Sequence, residues 1–217
     1  MRTEDLIAEL TDGLRPVRRL APPGRRAALW LCFAALAVGS PVALFGLRPD
    51  LASRLALPHE AMQLAASLAT GVLAAVAAFH LALPDRSPRW ALLPLPTLAL
   101  WLGSLGWGCM ADAARLGPGA LVLGTSWGCL RFILGLGVPL MATMLWALRH
   151  AGPVRPVPVV LLGALAAASL CSFGLSLFHR LDAAAMVLAW HGGATALMLL
   201  IGWAFGRPAL IAASAVR

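Results

Sequence analysis

Charge is scarce in this 217-residue chain. Only 12% of its residues are charged and 60% are hydrophobic, with a mean hydropathy of +0.84. Soluble domains carry roughly 25% charge. A water-soluble fold of this size would lack the polar surface to cover so much apolar material. That shortage excludes a soluble enzyme, an extracellular disulfide domain and a disordered chain. Lysine is missing altogether: all 17 basic residues are Arg, set against 9 acidic ones, for a net charge of +8. In a soluble chain that excess would point to nucleic acid. Here the arginines lie between apolar runs, so they read as membrane topology, and no direct nucleic-acid partner is expected. The sequence also has no phosphate-binding loop, no HExxH zinc motif, no CxxC pair and no paired carboxylates inside its apolar runs. No catalytic residue stands out, and an enzyme is not expected. Carriers and proton pumps usually place charge near the midplane. All nine acidic residues are expected in loops or at the N-terminus, which speaks against transport.

What is present is a series of six apolar runs, at about 27–47, 61–83, 90–109, 128–148, 157–178 and 183–205. Each supplies the roughly 20 residues that cross about 30 Å of hydrocarbon as a helix. Only helices satisfy their own backbone hydrogen bonds over such short apolar runs. The expected fold is therefore all-α: a polytopic membrane protein with a bundle of six transmembrane helices. Segments 1–26 and 206–217 flank the 27–205 membrane domain.

Orientation follows from arginine in short flanks. Twelve arginines fall on one side (Arg2, Arg15, Arg18, Arg19, Arg25, Arg26, Arg86, Arg89, Arg149, Arg155, Arg207, Arg217) and five on the other (Arg48, Arg54, Arg115, Arg131, Arg180). Both termini are thus expected in the cytoplasm. Trp30, Trp90, Trp146 and Trp203 fall near the inner ends and Trp107 and Trp127 near the outer ends, the levels that indoles prefer. The acidic residues Glu4, Asp5, Glu9 and Asp12 ahead of the first run are unlike a signal peptide's basic leader, so that run is read as retained. Pro41, Pro94, Pro96 and Pro139 fall inside the runs and are expected to kink them.

Four cysteines remain. Cys32 falls in the inner half of the first span and reads as a buried bystander. Cys109, Cys129 and Cys171 fall toward the outer side, where thiols form disulfides or bind soft metals. His59 and His179 are expected in outer loops beside them, and His191 well inside the last span. These groups read either as packing residues or as a sensor of oxidants or of copper, zinc or cadmium held transiently. No resident cofactor is expected.

The N-terminal segment carries a further signal. Thr3 can cap a helix, Glu4 and Asp5 suit its first turn, and Leu6, Ile7, Leu10 and Leu14 share one face. Arg15, Arg18 and Arg19 follow in a basic, proline-rich linker. Two surfaces suit such a helix: a groove on a partner protein or the anionic inner leaflet of the lipid bilayer.

Several stretches resemble a known family. Thr3-Glu4-Asp5-Leu6-Ile7-x-x-Leu10 with Pro16-x-Arg18-Arg19, then Gly46-Leu47-Arg48-Pro49-Asp50-Leu51, are similar to the cytoplasmic start and first outer loop of the NrsF-like six-span anti-sigma factors of proteobacteria. Gly124-Thr125-Ser126-x-x-Cys129-Leu130-x-x-Ile133 resembles the stretch around that family's first sensing cysteine. Pro153-x-Arg155-Pro156, His179-x-x-Asp182 and Val187-x-x-Trp190-His191-Gly192 complete the likeness, in order and spacing. The resemblance implies a protein of the bacterial inner membrane that holds an extracytoplasmic-function sigma factor and releases it on a periplasmic signal. It implies sigma contact through Leu6, Ile7, Leu10, Leu14, Arg15, Arg18 and Arg19, and metal or redox sensing at Cys129. Arg180 stands where the family's second cysteine would be, so either Cys171 or Cys109, with His179, takes its place beside Cys129, or the signal is not a disulfide between the usual two sites. A small thiol oxidoreductase or a metal or solute carrier is the alternative.

Overall fold

The computed structural model describes residues 2–12, 20–121, 123–151, 154–180, 183–206, 208–210 and 212. Leu14, Arg15, Arg18, Arg19 and Asp182 lie outside the described residues. Among those described there is no strand.

A short helix α1 (Thr3–Asp12) precedes α2 (Pro23–Phe45); a single-turn helix α3 (Leu51–Leu55) then leads into α4 (Pro58–Leu81). A 3-10 turn (Pro88–Leu92) opens the way to α5 (Leu95–Leu116). Then come α6 (Trp127–Leu148), α7 (Pro156–Phe178) and α8 (Ala184–Gly206). Six of these segments, counting the turn with α5, are long and apolar enough to cross a membrane. Proline sits in the first turn of α2, α4 and α7, where its missing N–H costs no intrahelical bond. Gly46 and Gly117 close α2 and α5 with φ of 76° and 78°, the backbone region that glycine alone enters freely.

The edges differ from the sequence reading in places. The third segment does not stop near 109 but runs to Leu116, so Asp112 lies on α5; Glu60 lies in the first turn of α4. Both carboxylates therefore belong to spans rather than loops. Pro94 and Pro96 mark the start of α5 instead of kinking its interior, whereas Pro41 and Pro139 are interior to α2 and α6. Trp30 is buried, its indole N–H donating to Thr143 Oγ1 at 3.1 Å. Cys32 is exposed rather than buried, lining an apolar groove with Val38, Leu68 and Val72.

The core is organised around α7, most of which is buried against α2, α4, α6 and α8. Lipid is as apolar as leucine, so helices associate through close van der Waals fit more than through escape from water. Small residues supply that fit. Gly71, Ala74, Ala75 and Ala78 of α4 and Gly163, Ala164, Ala167 and Ala168 of α7 are all buried, in two helices that pack extensively on each other. A Cβ placed on Gly71 would fall 2.7 Å from Leu170 Cγ, so the glycine is what permits this approach.

The two ends of the bundle have different chemistry. At one end Arg26 donates to the Ala147 carbonyl and lies 5.5 Å over the Phe79 ring. Arg155 donates to the Arg86 carbonyl at 3.1 Å, and His80 stacks on Trp90 at 4.0 Å. The starts of α2, α5 and α7 and the ends of α4 and α6 thus meet at this arginine-rich end. The other end gathers Arg48, Asp50, Arg54, Glu60 and three histidines.

Candidate functional site

At that second end a pocket of about 50 Å³ opens between the α2–α3 connection, α4, α7 and α8. That is room for a few waters or one small ion. Its wall is built around Arg48, which is 8% exposed. Arg48 N–H donates to the Leu177 carbonyl at 2.9 Å, tying the connection to the end of α7. Its guanidinium grips Asp50 in a fork, Nε to Oδ1 and Nη2 to Oδ2, both at 2.8 Å. Such bidentate pairs are the strong form of the ion pair. Arg48 holds the Asp50 carboxyl well below the usual carboxylate range. Arg54 bridges Asp50 at 3.6 Å and pairs with Glu60.

Three imidazoles line the same pocket: His59 from the first turn of α4, His179 just past α7, and His191 from α8. His59 is buried within a helix rather than placed in an outer loop. His191 is 3% exposed and sits in a π-helical turn, Leu188–Gly192, a local one-residue widening that recurs at functional sites. The Nε2 atoms of both His179 and His191 are buried with no hydrogen-bond partner. Among the described residues no carbonyl bonds the Nε2 atom of His191, where the sequence reading expects one. Burial first, and the Arg48 charge second, push the His179 imidazole below its usual value.

Close packing fixes this end. A Cβ on Gly108 would meet Ala184 Cβ at 2.8 Å and His59 Cδ2 at 3.1 Å, so α4, α5 and α8 converge where glycine leaves space. The Ala184 N–H at the start of α8 donates to Asp112 Oδ2 at 2.9 Å. A carboxylate from α5 thereby caps α8, which lacks a capping side chain of its own. Trp190 N–H donates to the Gly124 carbonyl at 3.1 Å, holding the approach to α6.

The cysteines are dispersed. All four are free thiols. Cys129 is buried at the start of α6 with its sulfur 2.9 Å from Ser126 Oγ. Cys171 is buried mid-helix opposite Gly137, where a Cβ would lie 3.8 Å from the sulfur. Gly137 is eight residues beyond Cys129, about 12 Å along the helix axis. A disulfide needs Cα atoms within about 7 Å, so Cys129 and Cys171 do not meet. The antiparallel register, with Gly137 beside Cys171 and Gly163 beside Met144, instead puts Cys129 level with Phe178 and His179. Cys109 is half-buried on α5, which has no extended packing against α6. No group of three His, Cys, Asp or Glu side chains among the described residues is arranged to hold a metal. Oxidising the detergent-solubilised protein with copper phenanthroline is accordingly expected to yield no Cys129–Cys171 peptide on mapping. Recovery of that peptide in good yield would show that α6 and α7 slide by two turns.

At the opposite end of the bundle's chain order, α1 buries nothing. Leu6, Ile7 and Leu10 form an exposed apolar strip on it. Sequence reasoning found that strip and the cysteines. It missed the joint role of Arg48, Asp50, Arg54 and Glu60, whose ion pairs only the fold brings together; the short spacing Arg48-Pro49-Asp50 was the one available signal.

The described fold is that of a helical protein with six membrane-length segments, a polar pocket at one end and an unpacked amphipathic helix ahead of the first segment. A family model described as negative regulator of sigma F matches residues 10–211, and the chain belongs to this NrsF family. It is 32% identical over 181 residues to the probable anti-sigma-F factor NrsF of Azospira oryzae, covering 79% of this chain and 83% of that protein. No solved structure matches it.

Proposed function

We propose that the protein is an anti-sigma factor of the bacterial inner membrane that holds an extracytoplasmic-function sigma factor through α1 and the segment after it. The observation that carries the reading is α1 itself: a ten-residue helix with no buried residue and an apolar strip of Leu6, Ile7 and Leu10. An apolar face of that kind is unstable in water unless something covers it. Membership of a family described as negative regulator of sigma F supports a sigma factor as the partner that covers it. Leu14, Arg15, Arg18 and Arg19 extend the contact in this reading, with the arginines steering an acidic partner.

The twelve-to-five arginine split supports termini in the cytoplasm, where a sigma factor is found. A green fluorescent protein fused after Arg217 is expected to fluoresce, and an alkaline phosphatase fusion there to be inactive. The reverse pattern would place α1 on the wrong side and end the proposal. The pocket and Cys129 then lie on the periplasmic side, positioned to receive a signal.

The direct test is a mild-detergent pull-down of the tagged full chain from its host, beside a variant lacking residues 2–20. The sigma factor is expected with the first and absent from the second. Its absence from both, with the membrane protein intact, would refute the reading. For the sensing step, Cys129→Ser is expected to blunt sigma release by peroxide or cadmium at least tenfold; an unchanged response would remove that thiol from the mechanism.

A further inference from the structure

The arginine-rich end of the bundle places cations where helices disfavour them. Arg25 and Arg26 lie in the opening turn of α2, which carries no acidic residue, and Arg155 stands immediately before α7, whose first turn has none either. The start of a helix is its positive end, so arginine there is repelled and an anion is attracted. Arg86 and Arg89 between α4 and α5, and Arg149 at the end of α6, complete the group. Among the described residues Arg86 alone of these six pairs with a carboxylate, Asp85 at 3.7 Å.

Arg26 and Arg155 are half-buried. Each donates to a main-chain carbonyl, Arg26 to Ala147 and Arg155 to Arg86 at 3.1 Å. A carbonyl fixes the guanidinium in place without neutralising it. A cation drawn partly out of water with no counter-ion is destabilising, and an anion on the open side of these arginines relieves that cost.

We propose that this end of the bundle seats the phosphate of an anionic phospholipid from the adjoining leaflet. The sign of the ligand follows from the arginines, and its kind from what lies beneath them. Leu29, Leu92 and Trp146 stand three residues from Arg26, Arg89 and Arg149, each on the membrane side, and all three are exposed. Residues three apart share a face in both α and 3-10 helices; at α6 the pair is in contact, Arg149 lying 4.0 Å over the Trp146 ring. Three times, then, a guanidinium sits one turn above a bare apolar side chain. A phospholipid covers both levels, its phosphate on the charge and its acyl chains on the apolar side chains. A free phosphate or an acidic peptide would cover only the upper one. The planar fork of arginine matches two phosphate oxygens at once.

The test uses the purified full chain in mild non-ionic detergent, titrated with phosphatidylglycerol. Thermal unfolding and native mass spectrometry read the binding. A saturable rise of about 3 °C in the unfolding midpoint is expected with phosphatidylglycerol. None is expected with phosphatidylcholine of the same chains, or with inorganic phosphate at the same concentration. Each arginine removed is expected to weaken the apparent affinity about fivefold, so Arg26→Gln with Arg155→Gln weakens it about 25-fold. Arg131→Gln, at the other end of the bundle, is expected to change nothing. Equal responses to the two lipids would show that any hydrocarbon suffices, and the full effect from inorganic phosphate would show a free-anion site; either overturns the proposal. So would unchanged lipid affinity in the double variant, and loss of the sigma factor from that variant would then mark these arginines as a protein contact. The lipid comparison is read on the unsubstituted protein, and the exposed Arg25→Gln and Arg89→Gln pair repeats the arginine test where the half-buried variants do not fold.

Discussion

Replacing Leu6 and Leu10 together with aspartate is expected to release the sigma factor and turn on the genes it serves, with no signal present. The expectation rests on two effects. Burying a leucine against a partner is worth about 1.5–3 kcal/mol. Putting an unpaired carboxylate into the same groove adds a desolvation cost on top. Two such positions exceed about 5 kcal/mol, which weakens binding more than a thousandfold. The membrane domain is expected to be untouched, because α1 contributes nothing to its core. Glu9→Gln, on the polar side of α1, is the matched control and is expected to change little. The readout is a sigma-dependent reporter together with co-purification. Full repression by the double variant would show that the apolar strip is not the contact, and α1 would then be read as lying on the membrane surface.

Gly71→Leu is expected to destabilise the bundle by about 3 kcal/mol, the upper part of the usual range for overpacking. The reason lies in what the new side chain meets. Even its Cβ would stand 2.7 Å from Leu170 Cγ and 3.2 Å from the Leu170 backbone nitrogen. A side-chain tip can move aside, but the backbone of α7 is held by neighbours on every side. Gly103→Leu on α5, where a Cβ has nothing within 4 Å, is the contrast and is expected to be near neutral. Unfolding by increasing SDS in mixed micelles measures both. Equal resistance of the two variants would mean that α4 and α7 pack less closely than the Gly71–Leu170 contact requires.

The α1 strip and the α4–α7 contact differ in how visible they are in the sequence. The six segments were legible because hydropathy records long apolar stretches, whether they lie on the outside of the bundle or, like α7, inside it, and five of the six kept their edges to within a few residues. The third, α5, ran on from about 109 to Leu116. Hydropathy ends a span at a charge, and it has no means to see that Asp112 turns inward to cap α8. The α1 strip was legible for the same reason as the spans, since periodicity is local. The pocket was not. It joins Arg48, Arg54, His59, Glu60, His179 and His191, drawn from three separated stretches, and each of these looks like an ordinary topology charge or lone histidine until the fold assembles them. Cys171 illustrates the opposite error: position toward the outer side suggested a partner for Cys129, but the helix register sets the two sulfurs at different depths.

The central place of α7 has a consequence for biogenesis. Chains are threaded into the bilayer from the N-terminus, and helices associate after they are inserted. The first four membrane segments therefore wait in lipid without the element that most of them pack upon. Gly71 of α4 has no counterpart until residues 156–178 leave the ribosome. The pairing of α4 with α5 can form early, but closure of the bundle around α7 is a late step, and a chain truncated before Pro156 is expected to lack the core that this helix completes.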